Sequence, residues 1–404
     1  MLDIFPDGDR RPGGAPLIFA YHAEETYGKG VIVSAIGDDE EGKEIRDCVE
    51  KNGIVSKYLF TVKKHSGTVK VNDADPNDPK YNIETKSAWT EIPYEGLDEL
   101  AKKTAAVYYG PLASHCGEIS KQTIDRFLEA VPCDCWKIFD VNLRHNPTQN
   151  NKYTVPLFNE TLIKFYLGNQ NLCNVLKVNK EELDYLCTIC GVLGNLSNKK
   201  KSEALLELYP HIKILLLTLG EEGSAVFWRK KVEKCVDNKV VEIDVLLYHY
   251  YGVSVELPLN SVGAGDALAG AFIGEIIKKN KKDLSKIDVE KAHTVAVKRS
   301  AQVCEAGNSM PPILHPDIFV SYSREDENIV RSFCSLFNAQ DWSVWRDKEK
   351  IDYGDNFPDK IKEAIHNCKV VVFFFFRRFK KIRFCDKRDS ICQRGTKKNH
   401  PCHT

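Results

Sequence analysis

The chain has 404 residues, enough for two domains or for one large domain with a smaller module. Lys and Arg number 57, as do Asp and Glu, and this balance argues against a nucleic-acid binder driven by overall charge. There is no apolar run of about 18 residues and no signal-peptide pattern at the N-terminus, and the fourteen cysteines are scattered, so the expectation is a cytoplasmic protein with reduced thiols and no membrane contact.

In chain order, Val31–Ile36 reads as a buried strand ending in Gly37-Asp38-Asp39, and Glu41–Asn52 follows with helical spacing. Gly67–Asn72 and Tyr81–Thr90 alternate apolar and polar residues around the turn-rich segment Asp73–Pro79, which predicts an antiparallel hairpin with one solvated face. Such a hairpin reads as a lid over a site; the plain alternative is a surface hairpin without function. Ala105–Tyr109 reads as a strand closed by Gly110-Pro111, Ser120–Val131 as a helix and Lys137–Asn142 as a strand. Asn174–Val178 is a strand leading into a helix over Lys180–Cys187, and Ile212–Leu219 is an apolar run bounded by Gly220. Continuous apolar strands alternating with helices predict an α/β fold with a mostly parallel sheet covered by helices. Cys187 and Cys190 form a lone CxxC with no second pair for zinc, and both read as core, like Cys133 and Cys135.

The proline-rich stretch 311–316 marks a boundary, with a linker at 313–316. A second small α/β unit is expected over 317–376: a strand at Asp317–Tyr322, a helix at Asn328–Ala339, a strand at Trp342–Trp345, a helix at Phe357–Asn367 and a strand at Lys369–Phe376. Residues 377–404 hold ten Lys/Arg against two Asp/Glu and show no apolar periodicity, so they read as a disordered basic tail. A basic arm for nucleic acid or membrane, or a metal site of His400, Cys402 and His403, is the sharper alternative.

The strongest chemical signal is Asn260-Ser-Val-Gly263-Ala264-Gly265-Asp266, followed by an apolar helix. Small residues at a helix start leave backbone N–H groups open to an anion. Phosphate would repel a carboxylate placed there, unless Asp266 takes a proton from a hydroxyl attacking phosphorus. A helix cap is the structural alternative.

This motif resembles the second signature of the PfkB/ribokinase family of carbohydrate kinases. Asp140-x-Asn142-x-Arg144, Asn179-x-x-Glu182, Thr218-Leu-Gly220-Glu-Glu-Gly223 and Gly13-Gly14-Ala-Pro follow the family's order, the last closest to bacterial fructokinases. The resemblance covers residues 1–312. It implies a ribokinase-like sheet flanked by helices with a small β lid, and an ATP- and Mg²⁺-dependent kinase acting on a sugar, fructose first. It also implies roles. Asp266 would be the general base, and the amides of Gly263, Ala264 and Gly265 an anion hole. Asp3, Gly13, Gly14 and Arg144 would bind substrate, and Asn179, Thr218, Gly220 and Gly223 the nucleotide–Mg²⁺ cluster, with Glu182 meeting the metal through water. Contacts between two copies through the lid are implied as well. The chain departs from the family at Asn260, where Asp is usual, at Ser261 for Thr and at Ile18 for Asn. The family's apolar strand ahead of Asp3 is missing, which predicts exposed ladder groups and core.

In the second unit, Asp317–Asp326, Trp345-Arg-Asp347, Ile351–Phe357, Ile361–Ile365 and Val370–Phe374 resemble about half of a TIR domain of flavodoxin-like type. The resemblance stops at Phe376, short of the remaining strands and of the glutamate used by NAD-cleaving members, and it implies TIR–TIR contacts. It predicts an unprotected apolar edge at Val370–Phe376. Two further readings stand beside the sugar kinase: a TIR signalling protein with a vestigial kinase domain, and an inactive truncated fusion.

Overall fold

The computed structural model describes residues 1–72, 80–148, 154–236, 239–255, 258–278, 284, 287–311, 318–322, 326–338, 344–345, 365, 368, 370–374 and 383–386. The chain divides into Met1–Pro311 and Pro312–Thr404. In the first unit the strands are β1 (Leu2–Ile4), β2 (Arg10–Pro12), β3 (Ser34–Gly37), β4 (Leu59–Val62), β5 (Thr68–Asn72), β6 (Lys80–Ile83), β7 (Ala106–Tyr109), β8 (Trp136–Asp140), β9 (His145–Pro147), β10 (Thr154–Pro156), β11 (Val175–Asn179), β12 (Ile214–Thr218), β13 (Ser224–Val236) and β14 (Lys239–Tyr251). The helices are α1 (Ala15–Tyr27), α2 (Glu40–Lys51), α3 (Asp98–Ala101), α4 (Pro111–Cys116), α5 (Glu118–Ala130), α6 (Glu160–Gly168), α7 (Lys180–Ile189), α8 (Asn198–Leu208), α9 (Ala264–Lys278) and α10 (Val289–Ala306).

The main sheet has the order β14-β13-β12-β11-β8-β7. Strands β7, β8, β11 and β12 run parallel, and β13 and β14 are antiparallel additions. The central strands are mostly apolar because helices cover both faces, with Lys137, Asp140 and Lys177 as buried exceptions. Successive side chains alternate between two cores. Phe139, Leu176, Val178 and Leu215 pack with α5 to α8. Ile138, Val175, Ile214 and Leu216 pack with α1, α9 and α10. The long β13–β14 hairpin has no counterpart among the predicted elements.

The predicted lid is larger than a hairpin. Strands β5 and β6 pair antiparallel, but β1 lies parallel to β5 and β2 completes a four-stranded sheet of order β2-β1-β5-β6. Beyond Ile83 the chain leaves the strand and makes a 3-10 turn at Ala88–Thr90, so the predicted strand Tyr81–Thr90 is reduced to the four residues Lys80–Ile83. Apolar Val69, Val71 and Ile83 pack on Phe5, Trp89 and Val262, which fixes this sheet to the body of the domain.

Among the described residues, β7 pairs only with β8, and β3 only with β4. Between them lies a cavity of about 580 Å³, lined by β7, by Ile32 and Ile36, and by Phe127 and Leu128 of α5. The expectation from the missing strand holds in part: the outer edge of β7 has no strand partner among the described residues, and Ala106, Val107 and Tyr108 are partly exposed towards the cavity, whereas Ile32, Ile36, Tyr109, Phe127 and Leu128 around it are buried. Of the cysteines read as core, Cys135 and Cys187 are buried and Cys190 half-buried, but Cys133 is exposed.

The second unit contains β15 (Ile318–Ser321), α11 (Glu327–Asn338), β16 (Val344–Trp345), β17 (Val370–Phe373) and β18 (Arg383–Asp386), in the sheet order β16-β15-β17-β18. Strands β15, β16 and β17 are parallel, as expected. Two expectations are corrected. Val370–Phe373 is an inner strand, because β18 pairs antiparallel along its outer side. The same pairing makes Arg383–Asp386 a strand within the segment read as a tail. The predicted helix at 357–367 falls outside the described residues except Ile365, and the candidate metal residues His400, Cys402 and His403 lie wholly outside them.

Candidate active site

Ligands of open α/β sheets bind beyond the carboxyl ends of the parallel strands. Here those ends carry Tyr109, Asp140, Asn179 and Thr218. Lys177 on β11 stands opposite Asp140 on β8 in register, and Asn179 opposite Thr218 on β12. Among otherwise apolar strands, Asp140 and Lys177 are both buried, and the Lys177 Nζ lies 2.9 Å from each carboxylate oxygen of Asp140. Burial works against the Lys177 charge, but Asp140, with Asp266 and Glu182 beyond it, outweighs burial and holds its pKa above the usual value.

Asp266 sits in the first turn of α9, buried, over this ion pair. A Cβ on Gly265 would stand 3.3 Å from Lys177 Nζ, so the helix start rests directly on the lysine. Burial raises the Asp266 pKa and Asp140 adds to this, against opposing pulls from Lys177, Tyr108 and Arg144. The Tyr108 hydroxyl donates to Asp266 Oδ1 at 2.6 Å and also contacts Asp140 Oδ2. Before the helix, Gly263 has φ +80°, and a Cβ there would meet Ser309 and Ile18 at 2.7 and 2.8 Å. The Ala264 N–H donates to the Ser261 carbonyl at 3.1 Å, so in this structure it is engaged within the turn rather than offered to an anion. Asn260, where the family pattern has Asp, accepts the Val262 N–H at 2.7 Å and shapes the same turn.

The lid sheet brings in Asp3, on β1. Its neighbour is Gly13, where a Cβ would stand 2.1 Å from Asp3 Oδ2, so only glycine allows this approach. Burial pushes the Asp3 pKa up to about 6, although the N-terminal ammonium and Arg144 pull it down. The Arg144 guanidinium lies over the Tyr81 ring of β6, 4.7 Å from its centroid. Asn142, two residues earlier, has φ +38° and is the one non-glycine with positive φ among the described residues. Such local strain is characteristic of functional segments.

Of the site residues expected from sequence, Asp3, Gly13, Gly14, Arg144, Gly263 and Asp266 line one cavity, the one that extends to β7. Asn179, Glu182, Thr218, Gly220 and Gly223 lie outside its lining, along the ends of β11 and β12. Asn179 and Glu182 form a reciprocal capping box at the start of α7, each side chain accepting the other's backbone N–H at 2.8 Å. Glu182 Oε1 also accepts the Leu143 N–H at 3.0 Å and so ties α7 to the segment carrying Arg144. Gly223 has φ +97°, and a Cβ would meet Gly252 Cα at 2.6 Å, which accounts for glycine at this turn. Tyr108 and Lys177 are absent from the expected set. The signal for Lys177 is a cation inside an apolar buried strand; nothing in the sequence singles out Tyr108.

The model of the pfkB family carbohydrate kinases matches residues 5–315. The chain belongs to the pfkB family. A TIR domain model matches residues 318–401, so this pfkB kinase domain is followed by a TIR domain. That match continues past Phe376 through most of the segment read as a tail, in keeping with β18. Fructokinase-1 of Oryza sativa subsp. japonica is 25% identical over 304 residues, covering 74% of this chain and 82% of that protein. Two solved structures share the fold. A fructokinase from Vibrio cholerae O395 with bound fructose, ADP and calcium ion has a TM-score of 0.54 at 19% identity, over 76% of this chain and 91% of its own. A chain assigned as ribokinase II from E. coli, in complex with ATP and Mg²⁺, has a TM-score of 0.56 at 16% identity, over 77% of this chain and 92% of its own.

Proposed function

We propose that this pfkB-family chain transfers the γ-phosphoryl group of ATP to a hydroxyl of a fructose-type ketohexose. The observation that carries the reading is the buried Asp266 carboxylate at a helix start, facing the same cavity as Asp3 and Arg144. Asp3, with the Gly13–Gly14 turn against it, holds sugar hydroxyls, since an ionised carboxylate accepts their hydrogen bonds. Arg144 supplies positive charge beside the acceptor hydroxyl. Asp266 takes the hydroxyl proton as the sugar oxygen bonds to phosphorus and the bond from phosphorus to the ADP oxygen breaks. The amides of Gly263 and Gly265 face the charge that develops on the phosphoryl oxygens, and the Ala264 amide joins them once its bond to Ser261 lengthens.

The nucleotide lies along Asn179, Thr218, Gly220 and Gly223. Among the described residues, no cluster of three or more His, Cys, Asp or Glu forms a metal cage. This donor set fits Mg²⁺, which keeps several waters and binds chiefly to phosphate. Glu182 would meet the ion through water while keeping its two backbone bonds; when bound, the ion neutralises phosphate charge. The lid sheet excludes water from the reacting groups. The resemblance of Gly13-Gly14-Ala-Pro to fructokinases, and the fructokinases among the relatives, support the ketohexose. A panel of sugars with ATP and Mg²⁺ tests it: fructose or another ketohexose is expected to give the highest kcat/KM, and clear selectivity for a nucleoside or a phosphosugar would overturn the assignment.

A further inference from the structure

A carboxylate serves as a base only while it is ionised, and burial opposes that state. Asp266 is buried at the start of α9. Its two oxygens are differently placed. The Tyr108 hydroxyl donates to Oδ1 at 2.6 Å, while Oδ2 has no hydrogen-bond partner among the described residues. The strongest pull towards the ionised form comes from Lys177. Yet Lys177 makes no hydrogen bond to Asp266 among the described residues. Its Nζ lies 2.9 Å from each oxygen of Asp140, so two of its three donors are engaged there. That bond fixes the ammonium under Gly265, where a Cβ would stand 3.3 Å from Nζ. Lys177 is buried and lies outside the lining of the cavity, which includes Asp140 and Asp266. The other groups acting on Asp266 are Asp140 on β8, Arg144 beyond it, Tyr108 on β7 and Asp3 on β1, while Glu182 of α7 acts on Lys177. The helix α1 meets this turn through Ile18, against Gly263, and α10 through Ser300, whose hydroxyl donates to the Ala264 carbonyl at 2.9 Å; neither side chain is charged.

We propose that Lys177 is a positioning residue for phosphoryl transfer: locked on Asp140, it is the fixed positive charge under the first turn of α9 that keeps Asp266 ionised with Oδ2 open to the acceptor hydroxyl. The role needs two properties together. The charge must be close enough to offset the burial of the carboxylate. It must also stay off the carboxylate, because an ammonium bonded to Oδ2 would occupy the atom that receives the hydroxyl proton. Asp140 meets the second need by holding the lysine on both of its own oxygens. The arrangement gives the two partners opposite effects. Removing the lysine withdraws the charge that favours ionised Asp266. Removing the Asp140 charge withdraws a repulsion and leaves the lysine charge uncompensated. The inference rests on the reading of Asp266 as the base.

The test combines two readouts on the purified full chain. The first follows the Asp266 carboxyl by carbon-13 NMR of protein labelled at aspartate, with the signal assigned by its loss in Asp266→Asn; it needs no substrate. The second is the kcat–pH profile with fructose, ATP and Mg²⁺. In Lys177→Met the carboxyl midpoint and the acid limb of kcat are both expected to move up by about one to three units, the effect of losing a nearby opposite charge. Above the shifted limb kcat is expected to return to within about threefold of the wild type, because Lys177 touches no substrate. In Asp140→Asn the midpoint is expected to move down. Lys177→Met leaves Asp140 buried without its partner and so threatens the fold. The double variant Lys177→Met/Asp140→Asn replaces the pair by neutral groups; its midpoint is expected to rise, by less than in the single lysine variant. A midpoint unmoved or lowered in Lys177→Met, or in the double variant should the single one not fold, overturns the proposal. So does a loss of kcat by one factor at every pH, the mark of a merely structural lysine, or a midpoint raised in Asp140→Asn. Should Asp266→Asn retain full turnover, the base reading fails, and the carboxyl midpoint still decides whether Lys177 holds the charge on Asp266.

Discussion

Asp3 illustrates how burial sets a pH dependence. Its folded pKa is about 6, above the ordinary 3.8, because removal from water penalises the charge more than the N-terminal ammonium and Arg144 repay. Its contribution to stability is full below 3.8 and is lost as the pH rises through about 6. Function runs the other way, because the ionised carboxylate is the better acceptor for sugar hydroxyls. The KM for sugar is expected to fall as the pH rises through 6, and an Asp3→Asn variant should show a higher and flat KM over that range. A wild-type KM indifferent to pH between 5 and 7 would remove Asp3 from the sugar site. Asp266 was legible in the sequence because its motif is contiguous. The groups beneath it were less so: Asp140 shows in the motif Asp140-x-Asn142-x-Arg144, but Lys177 meets it across 37 residues and Tyr108 meets Asp266 across 158, so these contacts arise from strand register and helix docking.

Among the elements, α7 separates a structural role from a chemical one. Asn179 caps the helix and Glu182 closes the capping box, so the Asn-x-x-Glu motif has a full local explanation before any metal is considered. Asn179→Ala is expected to cost about 1 kcal/mol of stability, the usual worth of such a cap. Asn179→Ser restores the cap, because serine is as good an N-cap residue. If Asn179 also orders the nucleotide, the serine variant melts with the wild type yet shows a raised KM for ATP. A wild-type KM in that variant would leave Asn179 as a cap and nothing more. The strands β8, β11 and β12 were legible because they are short, predominantly apolar runs, broken only by Lys137 and Lys177 before their polar ends. The lid was only half legible: β1 and β2 are three-residue strands, too short for any period to register, and β1 finds its place by pairing with β5 and β2 by pairing with β1. The role of β18 was hidden for a similar reason. The basic composition of the segment around it reads as unstructured, whereas its backbone closes the outer side of the valine-rich β17.

At the scale of the whole molecule, a kinase domain with its own two cores and a lid sheet is followed by a TIR domain with a separate small core of Ile318, Val320, Val330 and Val372. The division near Pro311 was legible from the proline-rich stretch alone. The cavity beside β7 was legible only in part: the missing strand foretold an unpaired sheet edge, but the space itself depends on how the two-stranded β3–β4 sheet stands beside the edge of the six-stranded one. That cavity continues to Asp3, Arg144 and Asp266, so the site opens into the interior of the domain. The central claim is that the buried carboxylate at the start of α9 performs the chemistry. The most direct test is the kcat of the full chain and of its Asp266→Asn variant with fructose, ATP and Mg²⁺, alongside ATP binding measured separately. The expected result is a loss of roughly two to four orders of magnitude in kcat, the span of a general base, with ATP affinity kept; near-normal turnover in the asparagine variant would contradict the account.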